Sequence, residues 1–407
     1  MTHEQKVLSR RYIAYQAFRS MYFIGVSWFF FYRLFMSDQQ IGLLDGIAFV
    51  IGILAEIPSG ALADLVGRAR IVRLGMLLMA AGFLVQGLSG SFTPILIGQI
   101  IFLFGIAFTS GADDALFFDK LKFDRDSHQW RRLVMRGTQV SRATALIALV
   151  VGGALYSVDY RLAWYLNVVA FCLAAVALWG IRDQRAKRAK VSLGKAVTNY
   201  LGVITQGYRE FTKPELLPYL PLIFSLQGLF YTVGFGLLRP VLIDRFTFDA
   251  LWGSVIVASS NIVTVVALHY LMRNNQRIAE KRFLTALAGL AVAALVATIF
   301  PVGKVGLLIV IYLHVAEHIL YPFMSEILNK HTSEAQRATV LSFASLLKSL
   351  PYAVLAPLIG WLNGIGHLEY YLAVWTVFIM LSVWFYMAKV ARSVLISPHE
   401  IVEEECL

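Results

Sequence analysis

Long apolar runs separated by short polar connections dominate this chain. Hydrocarbon takes about 20 apolar residues to cross, and about 12 runs of that kind can be placed. They lie near 12–36, 39–63, 71–90, 94–118, 134–157, 162–181, 216–243, 248–272, 282–300, 303–328, 336–363 and 367–390. The longest polar connection, 182–213, opens with Arg182 to Lys190 and continues as a mildly amphipathic stretch, so it divides the runs six and six. A basic segment of this kind either lies on anionic headgroups or is a solvated linker. The expected units are 1–185, a basic linker 186–213, and 214–407.

The two halves repeat. At an offset of 211 residues Gly25 falls on Gly236, Asp38 on Asp249 and Gly42 on Gly253, and at an offset of 201 the stretch Arg136–Ser141 parallels Arg337–Ser342. The second match is placed at the start of the fifth and eleventh helices. Two parallel six-helix repeats are the expectation.

Composition excludes a soluble globule. The chain is 58% hydrophobic and 15% charged with mean hydropathy +0.67, against about half and about a quarter in soluble domains. The net charge of +11 does not call for nucleic acid, because the basic residues fall between apolar runs. With the N-terminus set inside, Lys and Arg on that side number 3, 3, 6, 8, 4, 2 and 2, about 28 in all, against Arg161, Arg245 and Lys304 on the other. Both termini are then expected in the cytoplasm. Arg19, Arg33, Arg142, Arg239 and Lys348 remain within spans. Two cysteines give neither a disulfide framework nor a metal spacing. No removable signal peptide is expected, since no small-residue cleavage site follows a short apolar core.

The segment Gly60-Ala-Leu-Ala-Asp-Leu-Val-Gly-Arg-Ala-Arg70 sets a turn and a knot of charge between the second and third runs. Gly60 allows close helix approach, Asp64 offers a carboxylate, Gly67 permits the turn, and Arg68 and Arg70 hold the cytoplasmic face. This G-x-L-A-D-x-x-G-R spacing resembles the loop between helices 2 and 3 of the major facilitator superfamily, with Leu65 and Ala69 where that pattern is usually basic. The resemblance implies an all-α integral membrane protein of 12 transmembrane helices in two pseudo-symmetric six-helix bundles. It implies a secondary-active transporter, with Gly60, Asp64, Gly67, Arg68, Arg70 and Arg337 as conformational-switch residues. Helices 3, 6, 9 and 12 carry no ionisable residue in their interiors, as lipid-facing helices should. Helix 5 lacks the Gly-x-x-x-Gly-Pro signature of many drug antiporters of that family; Gly152-Gly153 is what remains.

Three constellations carry candidate chemistry. Glu317 on helix 10 shares a helical face with His314, His318 and Tyr321; it either handles protons or substrate, or forms an ion pair with Lys348. The H-x-x-E-H spelling also matches an inverted zinc-peptidase motif, but nothing else supplies such a site, so no resident metal is expected. Asp113 and Asp114 on helix 4 form the second group: one is expected to pair with Arg142 while the other faces the cavity or carries a proton, and the alternative is an intracellular gate network with Arg136. Arg33, Asp45 and Arg239 form the third, an expected outer gate or interfacial anchor, with an attractive site for an anionic substrate as the alternative. Arg19 and Glu56 sit nearer the cytoplasm, and Tyr22, Trp28 and Tyr231 suit a cavity for an apolar or aromatic substrate. No phosphate-binding loop is present, so a proton or substrate gradient is the expected energy source, with no cofactor. The resulting expectation is a monomer in a bacterial inner membrane, its partners a small-molecule substrate and the lipid bilayer. Its task is proton-coupled export of an amphipathic organic compound such as a drug or secreted metabolite; import, or a receptor-like protein that binds without transport, is the alternative.

Overall fold

The computed structural model describes residues 3–110, 112–121, 128–181, 193–274, 280–334 and 336–396; the side chains of 56–66 and of Asp114 lie outside the described set. No strand occurs among these residues. The chain divides into two compact units, Met1–Tyr200 with Phe248–Ala258, and Leu201–Thr247 with Ser259–Leu407.

The first unit contains α1 (His3–Arg19), α2 (Ser27–Arg33), α3 (Asp38–Val66), α4 (Arg68–Leu88), α5 (Phe92–Thr109), α6 (Ala112–Leu121), α7 (His128–Val158) and α8 (Leu162–Ala177). Helix α4 packs on α5 and α8, α1 on α7 and α8, and α3 on α5. The α4–α5 contact is made backbone to backbone. A Cβ on Gly82 would lie 2.6 Å from the Gly98 carbonyl oxygen, and one on Gly98 would lie 2.8 Å from that of Gly82. Small residues of this kind let membrane helices approach where burial in lipid gives no hydrophobic drive between them.

Beyond α9 (Leu193–Phe211), which runs across the boundary of the two units, come α10 (Leu220–Leu222), α11 (Gly228–Gly234), α12 (Leu238–Arg245), α13 (Ala250–Asn274), α14 (Glu280–Ala297), α15 (Leu307–Lys330), α16 (Arg337–Gly364) and α17 (Leu368–Ile396). In the second unit α14 packs on α15 and α17, and α11 on α15 and α16. The end of α9 docks on α16: Phe211 and Phe343 rings are 5.5 Å apart, and Gln206 Nε2 donates to Gln336 Oε1 at 2.8 Å. The outward face of α17 is apolar, with Val374 68% and Trp384 70% exposed. Such a face has lipid as its solvent.

Nine helical segments among the described residues are long and apolar enough to cross a membrane, and Leu162–Ala177 is a shorter apolar helix. Three of the expected continuous runs are broken. The first separates into α1 and α2 around Gly25, whose φ of +26° lies in a region that a side chain would strain. The Phe23 N–H leaves the helical ladder there and donates to Asn167 Oδ1 at 2.7 Å. Gly152 gives α7 room against the same break, since a Cβ there would overlap the Phe23 carbonyl. The seventh run passes through a π turn at Ile223–Gln227 and breaks again between α11 and α12. Its Leu237 N–H donates to Tyr352 Oη at 3.0 Å, and the Trp375 indole donates to the Ser225 carbonyl at 2.9 Å. The fourth run ends α5 at Ser110, where ψ of 117° leaves the helical region, so Asp113 begins a separate helix rather than sitting inside a span.

The repeat maps onto this architecture. Gly25 and Gly236 both occupy breaks, Asp38 opens α3, and Asp249 Oδ1 accepts the Trp252 N–H at 2.8 Å just ahead of α13. The other match needs correcting: Arg337 opens α16, whereas Arg136 lies about two turns inside α7, because α7 begins at His128.

Enlarging the α4–α5 contact tests its tightness. Gly82→Val should destabilise the protein by about 1–3 kcal/mol, read as a lower midpoint of thermal unfolding in detergent; an unchanged midpoint would show that the two helices can part without cost.

Candidate functional site

The second unit gathers a charged cluster at the break between α11 and α12. Glu317, in the third turn of α15, is 14% exposed at its side chain. Its carboxylate lies directly on the α11 backbone: a Cβ on Gly234 would overlap both of its oxygens. The cations whose fields act on it are Arg239, in the first turn of α12, and Lys348 on α16. Lys348 Nζ stands over the Tyr321 ring at 4.2 Å and the Tyr231 ring at 5.9 Å. Tyr231 also stacks on Phe235 at 5.2 Å and meets Tyr352 at 6.4 Å.

His314 and His318 flank the carboxylate on its own helix. Their rings lie 4.5 Å apart, and His318 Nδ1 is 2.9 Å from the His314 carbonyl and 3.9 Å from Glu317 Oε2. A carbonyl only accepts, so in this contact Nδ1 is the donor. Together His314, Glu317 and His318 offer ligand atoms within 4.8 Å of one another. They are a geometrically possible cation site, but one that shares its single carboxylate with two cationic side chains.

The first unit holds a closed ion pair. Arg19, at the end of α1, pairs with Asp113 in the first turn of α6, and the Tyr15 hydroxyl donates to Asp113 Oδ2 at 3.2 Å. Asp113 is 5% exposed. A carboxylate in the first turn also faces the positive end of its helix. Tyr22 packs among Phe83, Phe102 and Phe171 with ring centroids 5.6 to 5.9 Å away. Trp28 meets Tyr32 at 5.4 Å, and the Tyr32 hydroxyl donates to Gln86 Oε1 at 2.7 Å.

Comparison with known proteins gives this helical architecture a family. The model of the major facilitator superfamily matches residues 12–316, about three-quarters of the chain. The chain belongs to the major facilitator superfamily. Among solved structures, the nucleoside transporter NupG matches with a TM-score of 0.69 at 14% identity, over 96% of this chain and 99% of that one. An inward-facing, unoccupied bacterial homolog of the human lysosomal transporter Spinster matches with a TM-score of 0.67 at 16% identity, over 95% and 96%. A peptide transporter, POT, in complex with sulfate matches with a TM-score of 0.68 at 13% identity, over 95% and 93%. At such identity these likenesses speak for the fold alone. Comparison with curated protein sequences gives no significant match. The facilitator is thus a multi-pass membrane transporter, not an enzyme, and its family calls for no cofactor.

Several expected groupings in this facilitator change. Asp113 takes Arg19, not Arg142, because the fourth run breaks and turns α6 toward α1, while Arg142 is exposed on α7. The expected outer trio also comes apart. Arg33 forks onto Asp38 at 2.7 and 3.0 Å, Asp45 is buried on α3 with its charge acting on Tyr32, and Arg239 faces Glu317. In the turn motif, Gly67 has φ +103° ahead of α4, which opens at Arg68, and Arg70 is exposed. Gly60 lies within α3, while the side chains of Glu56, Asp64 and Asp114 lie outside the described residues. Arg337 lies 3.8 Å from Glu334.

Sequence reading missed Gly234, Tyr352, Tyr15 and Asn167. The only signal for the first two was the pair of glycines two apart in Val233-Gly-Phe-Gly236, a weak point in an apolar run.

Gly234→Ala should displace the Glu317 carboxylate and abolish transport in reconstituted vesicles, while the purified protein keeps its helical circular dichroism. Tyr352→Phe should cost about 1–3 kcal/mol of stability through the unpaired Leu237 N–H, measured by denaturation in detergent; wild-type stability would mean that the freed amide finds another partner.

Proposed function

We propose that this facilitator is a proton-coupled transporter of a small amphipathic organic compound, working by alternating access, with Glu317 as the group that takes up and releases the proton. The observation that carries this reading is a largely buried carboxylate pressed on the Gly234 backbone at a helix break, within the field of two cations. Adding or removing one proton there changes the local electrostatic energy far more than it would in water. The aromatic rings of Tyr231, Tyr321 and Phe235 offer surface for the apolar part of a substrate.

Export by proton antiport, as for a drug or secreted metabolite, is the direction expected from the sequence. It requires proton and substrate to compete for one site, which suits a cationic substrate. The two cations beside Glu317 favour a second reading, import, in which proton and substrate bind together. In either direction we assign both termini to the cytoplasm on the one-sided excess of Lys and Arg, and keep a monomer in a cell inner membrane as the expectation. Asp64, Gly67, Arg68, Arg70 and Arg337 are proposed as the switch that biases the two access states rather than as substrate ligands.

A growth-protection screen of compounds in cells with and without the protein supplies a substrate, and vesicles supply the direction. Export driven by an imposed pH gradient supports antiport, uptake supports symport, and binding without flux identifies a receptor-like protein. Glu317→Gln should abolish gradient-driven flux while leaving substrate exchange; undiminished driven flux removes Glu317 from the proton path. Asp64→Asn should slow transport at least about tenfold, with substrate affinity changed by less than about threefold. The opposite pattern would make Asp64 a substrate ligand.

A further inference from the structure

We propose that Arg239 and Lys348 form the binding site for an anionic group, a carboxylate or its equivalent, on the transported compound, and that Glu317 serves there as a built-in counter-anion. The pH dependence drawn below rests on Glu317 being the proton site; the anion site itself does not.

The charge balance of the cluster is uneven. Among Arg239, Lys348 and Glu317, two cations face one carboxylate, an excess of one positive charge. Of the other elements packed on this site, α11 brings no charged group, and the charges of α14 are confined to its first turn. Burying an unmatched cation costs several kcal/mol unless an anion joins it. The bonding is incomplete as well. Among the described residues no ion pair within 4.0 Å joins Glu317 to either cation, and Glu317 Oε2 and Arg239 Nε, both buried, have no hydrogen-bond partner. The carboxylate is therefore near both cations and locked to neither. The Arg19–Asp113 pair of the first unit is the contrasting case, joined within ion-pair distance and backed by the Tyr15 hydroxyl.

Arg supplies a planar fork suited to a carboxylate, and Lys a point charge, here held over two tyrosine rings that continue into the apolar stack with Phe235. A carboxylate on an apolar body matches both features. A divalent cation on His314, Glu317 and His318 would be repelled by the same two side chains, and an organic cation would meet them too. The sign of coupling follows: protonating Glu317 removes the negative charge that competes for Arg239 and Lys348, so an anion binds more tightly as pH falls.

The test uses the full-length protein in detergent with three matched probes, benzoate, benzamide and benzylammonium, and with Zn²⁺ alone, each followed by intrinsic fluorescence and thermal stabilisation at about pH 6 and about pH 9, where benzoate is ionised throughout. Benzoate should bind in preference to both other organic probes, about tenfold more tightly at the lower pH. Arg239→Gln should weaken it at least about tenfold with an unliganded unfolding midpoint close to wild type, and Arg239→Lys should recover part of the loss. Glu317→Gln should bind benzoate at both pH values with the affinity that wild type shows at the lower. Benzoate binding that needs Arg239 but ignores both pH and Glu317→Gln upholds the anion site and overturns the proton role instead. Preference for benzylammonium, stabilisation by Zn²⁺ with no response to benzoate, or the absence of binding by any probe overturns the proposal.

Discussion

Hydrocarbon offers no hydrogen bonds, so every backbone amide that leaves a helix inside a membrane must find its partner in the protein. That constraint organises this facilitator. The first helical run breaks at Gly25, and Asn167 from α8 takes the freed amide; the seventh breaks at Gly236, and Tyr352 from α16 does the same. Each break is thus fastened by a side chain more than a hundred residues away in sequence. The side chains that crowd these breaks are as constrained as the breaks themselves, because Gly152 and Gly234 must stay small for their neighbours to fit.

A break in a membrane helix also creates a place where charge can be held at depth. Discontinuous helices in transporters gather ionisable groups because their backbone is already irregular and polar. The second unit follows this logic, with Glu317 against Gly234 and Arg239 opening the helix beyond the break. The first unit closes its charge differently, in the Arg19–Asp113 pair backed by Tyr15. The two repeats share helix order and glycine positions, yet the first joins Arg19 to Asp113 within ion-pair distance, while the second sets two cations around the Glu317 carboxylate. That asymmetry is why proton and substrate chemistry is proposed for the second unit.

The spans were legible in the sequence because lipid demands continuous apolar length, and most of the expected runs correspond to helices within a few residues. The pairing of Gly25 with Gly236 and of Asp38 with Asp249 also marked real structural equivalents. Partner assignments were not legible. Asp113 seemed to belong with Arg142 because both were placed by depth along unbroken helices, and the break after Thr109 changes the direction of Asp113. Arg239 was grouped with Arg33 and Asp45 for the same reason.

The sequence by itself determined the membrane class, the helical runs, the twofold repeat and the family motif at Gly60–Arg70, since each depends on hydropathy or spacing within a short window. It also singled out Glu317, because an acidic residue in the middle of an apolar run is costly wherever it lands. Only the tertiary structure decided what surrounds that carboxylate. A run has the same hydropathy whether its helix is continuous or broken, and the field at Glu317 is set by distances to α12 and α16, which no local pattern encodes.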